Sequence, residues 1–281
     1  MTDLIHDIAR HLDVGSVIPY LGPDMLSLCS DIQVPATPLA LAESMTSKVS
    51  VPHKIRKRLT QAAQFIENFK HRKSVVHLMN EAFAATPAPS PLHLALAASG
   101  AGLLVDTWYD DTLAAAMAQT GAAKDWVQIQ GLSQSEHFGN WTGIYGADGT
   151  LLPEVPNDAT RLLYKPMGSH SPAHNYLVSD SDYVEVLTEI DIQTPIPAAV
   201  QAWRSGRHFL FLGCRFDDQL TRCFARQIMK RSSDRHWAVL PEEPTRMEAR
   251  FLQEQNITRI DMPLAQFADS LMAAMQTEVA A

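Results

Sequence analysis

The feature that most constrains the fold is an alternation along the chain of short apolar runs with longer stretches of helical periodicity. Residues 16–22, 102–106 and 208–213 are such runs, and each ends at a glycine or an aspartate. Strands buried on both faces of a parallel sheet are almost continuously apolar, and the helices between them serve as right-handed crossovers. The pattern therefore predicts an α/β fold with a doubly wound parallel sheet, in which ligands bind beyond the carboxyl ends of the strands.

Two segments interrupt this alternation within what we predict to be a single domain of residues 1–281. Residues 31–85 predict a helical insert, because Pro35 and Pro38 open a run of helix-forming stretches. Those stretches are 39–47, 53–69 and 73–84. Residues 120–160 predict an irregular insert, because turn signals separate runs that are long enough only for short strands.

The helical insert leaves the sheet directly after the first strand, so we expect it to cover one side of the crevice at the strand ends. Its basic run, residues 53–58, has no interleaved aromatic residue and is expected to be a solvated helix face. The side chains that we expect to be buried are Leu59, Phe65, Ile66, Phe69 and Leu78. Those that we expect to be exposed are Lys54, Arg56 and Lys57.

The net charge of the chain limits the kinds of molecule that it can bind. The 281 residues include 23 Lys and Arg against 31 Asp and Glu, a formal charge of -8 at pH 7, which disfavours binding to nucleic acid. No apolar run approaches the roughly 18 residues of a membrane span, and no Cys-x-x-Cys pair is present among the 3 cysteines. We therefore expect a cytoplasmic protein with a small-molecule ligand or a protein partner, and composition leaves its oligomeric state open.

Several blocks of residues recur in an order that is typical of one family. They are Ile18-Pro-Tyr-Leu-Gly22, Pro91-Leu-His-Leu-Ala-Leu96, Leu103-Leu-Val-Asp-Thr-Trp-Tyr-Asp110, Tyr164-Lys-Pro-Met-Gly168, Tyr176-Leu-Val-Ser-Asp-Ser-Asp-Tyr183 and Phe209-Leu-Phe-Leu-Gly-Cys-Arg-Phe-Asp-Asp218. Together they resemble the SIR2-like family, the sirtuin superfamily in its short bacterial type. The resemblance implies a Rossmann-like, SIR2-type sheet, and it implies chemistry on NAD, either hydrolysis or removal of acyl groups from lysine.

The chain departs from that family at the positions that carry its chemistry. Trp108 stands where the family has an asparagine that orients the water or ribose, and Met167 stands where it has a histidine base. An indole only donates hydrogen bonds and a thioether barely accepts them, so neither replaces the lost group. Asp24 replaces the glycine that lets the backbone approach the pyrophosphate, and a carboxylate ~4 Å from a phosphate costs about 4 kcal/mol at an effective dielectric constant of ~20.

Several candidate residues allow more than one interpretation. Trp108 is interpreted as an apolar plug in the vacated nicotinamide site or, alternatively, as a stacking platform for a ring. His170 is a solvated loop residue or a displaced base, and its pairing with His174 as metal ligands is disfavoured by the intervening Pro172. Cys214 is a buried inert thiol or, beside the charge of Arg215, a reactive thiolate.

Two functional hypotheses follow from the departures. The first is a degenerate SIR2-like protein that binds a ligand or partner as a sensor, scaffold or regulatory subunit and has lost NAD cleavage. The alternative is an active NAD-consuming enzyme with His170 as the base. Neither hypothesis fixes the identity of a cofactor, and NAD or another nucleotide is compatible with both. The predicted ligand-binding residues are Gly22, Asp24, Trp108, Asp110, Met167, Gly168, His170, Gly213, Cys214 and Arg215, with no metal ligand and no assigned catalytic residue.

A last expectation concerns two of the replaced positions. Asp24 and Arg215 follow different strands of the same predicted sheet, both where the family holds the phosphates of its cofactor. Their charges are opposite, and a carboxylate facing a guanidinium can form two parallel hydrogen bonds. The sequence therefore suggests an Asp24–Arg215 pair across the mouth of the crevice, in place of a bound phosphate.

Overall fold

The computed structural model describes residues 2–120, 126–189 and 196–279, and its strands fall into two sheets. The strands are β1 (Val17–Leu21), β2 (Leu103–Asp106), β3 (Trp126–Gly131), β4 (Thr142–Gly146), β5 (Leu151–Leu152), β6 (Arg161–Lys165), β7 (Gly168–Ser169), β8 (Asn175–Tyr176), β9 (His208–Leu212), β10 (His236–Val239) and β11 (Ile257–Ile260). The main sheet has the order β11-β10-β9-β1-β2-β6-β3-β4-β5, and β7 pairs with β8 alone. Pairing is parallel from β11 to β3, and β4 and β5 add antiparallel strands at one edge.

Helices cover both faces of the main sheet. They are α1 (Thr2–Asp13), α2 (Pro38–Lys48), α3 (Leu59–Lys70), α4 (Arg72–Ala82), α5 (Pro91–Ala98), α6 (Thr112–Gln119), α7 (Asp180–Glu189), α8 (Ala198–Arg204), α9 (Gln219–Met229), α10 (Arg246–Glu254) and α11 (Leu264–Val279). Successive strand residues face opposite sides, so Ile18 and Tyr20 pack with α2–α4 and α7–α10, whereas Val17 and Leu21 pack with α1, α5, α6 and α11. This arrangement confirms the predicted doubly wound, Rossmann-like fold.

The segment 31–85 contributes α2, α3 and α4 to one face of the sheet. Helix α2 begins where the Thr37 hydroxyl accepts a hydrogen bond from the Ala40 N–H at 3.1 Å, with Pro38 in the first turn. The prediction of one helix over 53–69 is wrong at its start, because residues 53–55 form a short 3₁₀ turn, Arg58 is extended and α3 begins only at Leu59.

Burial within these helices follows the sequence expectation except at one aromatic residue. Ile66 and Leu78 lie in the core, and Leu59 and Phe65 are half-buried against it. The expected burial of Phe69 is wrong, since its side chain is 67% exposed. Phe69 lies in the last turn of α3, where its ring packs on that of Phe65 at a centroid distance of 4.4 Å but meets no further layer. Lys54, Arg56 and Lys57 are exposed.

The segment 120–160 is not an irregular insert over its described part. Strand β3 lies inside the main sheet, where Ile129 is in register with Tyr164 of β6 on one side and with Ile144 of β4 on the other. Residues 142–152 complete that edge as β4 and β5. The turn signal at 148–149 lies in the short connection between β4 and β5. Within the described ranges, no helix is long and apolar enough to cross a membrane.

Candidate functional site

The loops that follow β1 and β9 touch one another at the carboxyl edge of the sheet. The Gly22 N–H donates to the Leu212 carbonyl at 2.9 Å, and the Asp24 N–H donates to the Gly213 carbonyl at 3.1 Å. A Cβ at Gly22 would lie 2.4 Å from the Gly213 oxygen. Gly213 itself has a φ of +64°, which favours glycine, and a Cβ there would lie 2.4 Å from the Met25 nitrogen. Both glycines are therefore needed for a close backbone contact that joins the two strand ends.

This contact occupies the amides that a phosphate would use. Anion sites after a first strand depend on free backbone N–H groups that point at the ligand. Pro23 has no N–H, the Asp24 N–H is bound to Gly213, and the Met25 N–H donates to the Gly22 carbonyl at 3.2 Å. Burial raises the pKa of the Asp24 carboxyl, although a hydrogen bond from Ser27 opposes that shift. The first turn thus presents a carboxylate and no free amide over residues 23–25.

Trp108, in the loop after β2, packs against the helical insert. Its side chain is buried, its indole N–H donates to the Pro35 carbonyl at 2.8 Å, and its ring contacts those of Phe83 and Tyr109 at centroid distances of 5.9 and 5.0 Å. Met167 is buried in the same core cluster. An indole enclosed by the helical insert offers no free face for a ligand, so the geometry favours the plug over the stacking platform.

A buried lysine holds the loop that carries Trp108. The Nζ atom of Lys165 lies 2.6 Å from Oδ2 of Asp106 and donates to the Asp110 carbonyl at 2.7 Å. The other Asp106 oxygen, Oδ1, accepts a hydrogen bond from the Trp108 N–H at 3.0 Å. Burial raises the pKa of Asp106 to about 6, against the opposing charge of Lys165. The carboxylate of Asp110 accepts from the Thr112 N–H at 2.9 Å and so caps the following turn rather than facing the crevice.

Lys165 is a residue of the candidate site that sequence reasoning overlooked. It lies within a family block that the sequence analysis quotes, but no role was assigned to it there. The available signal was a charged residue ending the otherwise apolar stretch 162–165, because a lysine is almost never fully buried unless it is paired.

His170 lies against the same loop and has an acidic partner. The His170 N–H donates to the Tyr109 carbonyl at 2.9 Å, and its Nδ1 atom lies 3.3 Å from Oδ2 of Asp111. Asp111 also accepts hydrogen bonds from the Ser169 hydroxyl at 2.9 Å and the Ser171 N–H at 3.1 Å. Sequence analysis did not single out Asp111, whose contact with His170 spans 59 positions of the chain.

The neighbourhood of His170 offers no metal centre in the described ranges. The rings of His170 and His174 lie at a centroid distance of 4.8 Å, but no group of three or more His, Cys, Asp and Glu residues there is placed to hold an ion.

Gly168 opens the loop that contains His170. Its φ is +80°, and a Cβ at that position would lie 2.1 Å from the Asn175 oxygen. The glycine is therefore required by the pairing of β7 with β8.

Cys214 is a buried thiol. Its sulfur lies 3.6 Å from the Tyr20 carbonyl oxygen and 3.5 Å from that of Leu212, both of which accept the S–H donor. Burial raises the pKa of this thiol far above its usual range, and a protonated thiol is neither a nucleophile nor a metal ligand. Its burial and its two carbonyl acceptors therefore favour the interpretation of Cys214 as an inert thiol over that of a reactive thiolate.

Arg215 does not pair with Asp24, so that expectation is wrong. Its Nε and Nη2 atoms donate to Oε1 and Oε2 of Glu248, each at 3.0 Å, and Nη1 also donates to Glu242. Glu248 lies at the third position of α10, where its fully buried carboxylate also accepts from the Thr245 and Phe216 N–H groups at 2.9 and 3.0 Å. The guanidinium binds this helix start because a buried carboxylate requires a cation more than the half-exposed Asp24 does.

We expect Arg215→Met to lower the free energy of unfolding at pH 7 by about 1.5–3 kcal/mol, the usual worth of hydrogen bonds to a charged group. Burial opposes ionisation of Glu248, but hydrogen bonds from Arg215 and from the backbone outweigh it and lower its pKa from 4.5 to about 2. The stability from this carboxylate is complete above pH 4.5 and is lost as the pH falls towards 2. Urea titrations should therefore show the difference between the variant and the native chain shrinking below pH 4.5. Asp24→Asn is the control; a larger loss from it than from Arg215→Met would contradict this assignment.

The family relationship rests on the segment that contains most of this site. A family model described as a SIR2-like domain matches residues 102–260, more than half of the chain. The matched range includes the loops after β2, β6 and β9, whereas β1 and α2–α4 precede it. Comparison with curated proteins finds no match. The fold, the order of the loops and the match together show that the chain belongs to the SIR2-like domain family.

Proposed function

We propose that this protein is a SIR2-like scaffold or regulatory subunit that does not cleave NAD. The observation that carries the proposal is the closure of the crevice at both ends. At the phosphate end, the Asp24 N–H and the Gly213 carbonyl satisfy each other at 3.1 Å. At the nicotinamide end implied by the resemblance, the buried indole of Trp108 is bound to Pro35. A nucleotide would have to break both contacts before it could enter.

The side chains around the closed crevice also lack the required chemistry. Cleavage of the bond between nicotinamide and ribose needs a polar group that orients the attacking oxygen and a base that takes its proton. Trp108 and Met167 supply neither at the two family positions. An apolar cavity of about 10 Å³ lies nearby, lined in part by Tyr164, Pro166 and Leu177, and its volume suits about one water molecule rather than a nucleotide.

One observation favours the alternative of an active NAD-consuming enzyme. His170 is within 3.3 Å of the Asp111 carboxylate, and its side chain is 18% exposed. A carboxylate that orients a histidine is the usual support of a general base. This alternative requires the crevice to open far enough for a ribose to reach His170.

The experiment that separates the two functions combines binding with product release. We expect no change in melting temperature on addition of NAD or ADP-ribose, because neither should enter the crevice. Binding would be easy to detect, since a ligand at 100 times its Kd adds about 2.7 kcal/mol to the stability. We also expect no release of nicotinamide. Nicotinamide release that disappears in His170→Ala but persists in His174→Ala would establish the enzyme instead.

A double variant tests which end of the crevice excludes the cofactor. Trp108→Asn with Met167→His restores the family residue types at the nicotinamide end and leaves the Asp24–Gly213 contact intact. If both ends exclude NAD, the folded variant still fails to bind it, as measured by calorimetric titration with circular dichroism as the folding control. Binding of NAD by this variant would show that the plug alone had closed the crevice.

A further inference from the structure

Positive charge is concentrated in one segment of an otherwise acidic chain. Residues 31–85 contain eight Lys and Arg against four Asp and Glu, a formal charge of +4, so the remainder of a chain of charge -8 carries -12. The densest part is residues 53–58, here called the basic turn, where Lys54, Arg56 and Arg58 are exposed. Such an asymmetry in charge is a property of association rather than of the fold.

Three of the four cations of the basic turn have no carboxylate partner among the described residues, whereas many arginines elsewhere have one. In the described part of the chain, Lys54, Arg56 and Arg58 make no ion pair, and Lys57 reaches only the exposed Glu43 at 3.6 Å. By contrast, many arginines outside the insert pair with an acidic side chain of the same molecule. They are Arg10, Arg215, Arg226, Arg235, Arg250 and Arg259. The basic turn is therefore a cationic surface that the fold leaves uncompensated.

An uncompensated acidic surface lies on the other side of the sheet. Helices α1 and α11 pack against each other there, and α11 contains no Lys or Arg. The only cation of α1 other than histidine is Arg10, which pairs with Asp7 at 3.1 Å. Asp3, Asp13 and Asp269 are exposed and, within the described ranges, make no ion pair. We call these three aspartates and their helices the acidic face.

The two surfaces belong to opposite layers of the molecule. Ile55, inside the basic turn, packs against the core cluster on one face of the sheet, whereas Ile8 of α1 and Phe267 of α11 belong to the cluster on the other face. The surfaces therefore cannot neutralise each other within one molecule. In two molecules stacked in the same direction, the basic turn of one would meet the acidic face of the next.

We propose that the chain self-associates head to tail, with the basic turn of one copy docked on the acidic face of a second copy. A contact between two different patches is heterologous, so it continues into a ring or an open array instead of stopping at a symmetric dimer. The docking uses charged residues outside the candidate site, so it does not depend on whether the crevice binds a nucleotide. Such an array would let a scaffold protein present the same surface at regular intervals.

A second copy fits the basic turn better than a nucleic acid does. The basic turn has no aromatic residue on which a base could stack, and it is only about six residues long. A nucleic acid that extends beyond it would meet the remaining surface, whose formal charge of -12 repels phosphates. A folded second copy would meet the basic turn through the carboxylates of α1 and α11, and it would not have to run along the rest of the acidic surface as an extended nucleic acid does.

Sedimentation velocity across ionic strength tests the contact. Screening acts over about 30 Å at 0.01 M salt and about 3 Å at 1 M, so we expect concentration-dependent oligomers at the lower value and monomers at the higher. Lys54→Glu with Arg58→Glu should weaken association at least tenfold. The matched control, Arg231→Glu with Arg246→Glu, changes the net charge equally at exposed positions outside the basic turn, and it should retain oligomers. Monomers of the native chain at low salt, or equal loss in the control, would overturn the proposal.

A mixture of variants distinguishes head-to-tail docking from any symmetric contact. The chain with Lys54→Glu and Arg58→Glu keeps its acidic face, and a chain with Asp13→Asn and Asp269→Asn keeps its basic turn but offers no cation to the altered turn of the first. Each should be monomeric alone, and an equal mixture should form one-to-one dimers that do not grow, because only one complementary contact remains. A mixture that stays monomeric would overturn the proposal. So would binding of a DNA oligonucleotide that requires Lys54 and Arg58 in a chain that never self-associates.

Discussion

Arg72→Met is expected to lower the free energy of unfolding by about 3–5 kcal/mol, the usual cost of removing one partner of a buried ion pair. Arg72 lies 2.9 Å from Asp182, 3.2 Å from Glu136 and 3.4 Å from Glu67, and it also donates to the Tyr176 carbonyl. The side chain of Asp182 is fully buried, so the variant leaves its carboxylate without a cation in the interior. Urea unfolding followed by circular dichroism measures the difference.

The neighbouring Lys73 provides the control for this variant. Lys73 is exposed and, among the described residues, makes no ion pair, so Lys73→Met should change the stability by no more than about 0.5 kcal/mol. Arg72 ties the start of α4 to α7 and to the loop at 133–136, so its loss should also expose residues 59–82 to limited proteolysis before the rest of the chain. If Arg72→Met lowers the free energy of unfolding by less than about 1 kcal/mol, other groups must stabilise the three carboxylates when Arg72 is absent.

Lys165→Met is expected to have a similarly large effect, about 3–5 kcal/mol at pH 7, and a pH dependence of its own. The ammonium group of Lys165 is 1% exposed, and in its absence the buried Asp106 would ionise without a cation 2.6 Å away. The pKa of Asp106, already raised by burial to about 6, should rise further. The folded variant would then bind a proton that the unfolded chain releases, so its deficit in stability should shrink as the pH falls from 7 towards 4.

Removing both members of this pair separates charge from packing. Lys165→Met with Asp106→Leu should recover most of the lost stability, because an apolar pair of similar volume often replaces a buried ion pair without net cost. Equilibrium unfolding of both single variants and the double variant closes the thermodynamic cycle. Additive losses, with no coupling between the positions, would show that Lys165 stabilises the loop through the Asp110 carbonyl alone.

The sheet and its partition into two layers were predictable because they depend on local features. A run such as 209–212 is apolar at every position, a pattern that is typical of a strand buried on both faces of a parallel sheet. Phe69 shows the limit of this reasoning. Helical periodicity places it one turn after Phe65, but α3 extends past the layer that covers Phe65, and periodicity carries no information about where a neighbouring element ends.

The side-chain partners were not predictable, because each depends on elements that are distant in sequence. Arg215 and Asp24 carry opposite charges at neighbouring strand ends, yet Arg215 binds Glu248, which is 33 positions away and fixed at the start of α10. The charges in the sequence show that an ion pair can form, but they do not show which carboxylate is buried deeply enough to require a cation. Asp111 and His170 are likewise distant in sequence, so their contact could not be predicted. It arises only because β7 lies against the loop after β2.

The sequence by itself determined the α/β class, the family resemblance and the presence of Trp108 and Met167 where the resemblance implies asparagine and histidine, since these depend on residue types and their order. Only the tertiary structure decided which groups at the strand ends are already engaged within the chain. The Asp24–Gly213 hydrogen bond and the enclosure of Trp108 by Pro35 and Phe83 join segments separated by 25 to 189 positions. Whether an amide or an indole is free depends on what the rest of the chain brings against it, and that follows from packing and not from local propensity.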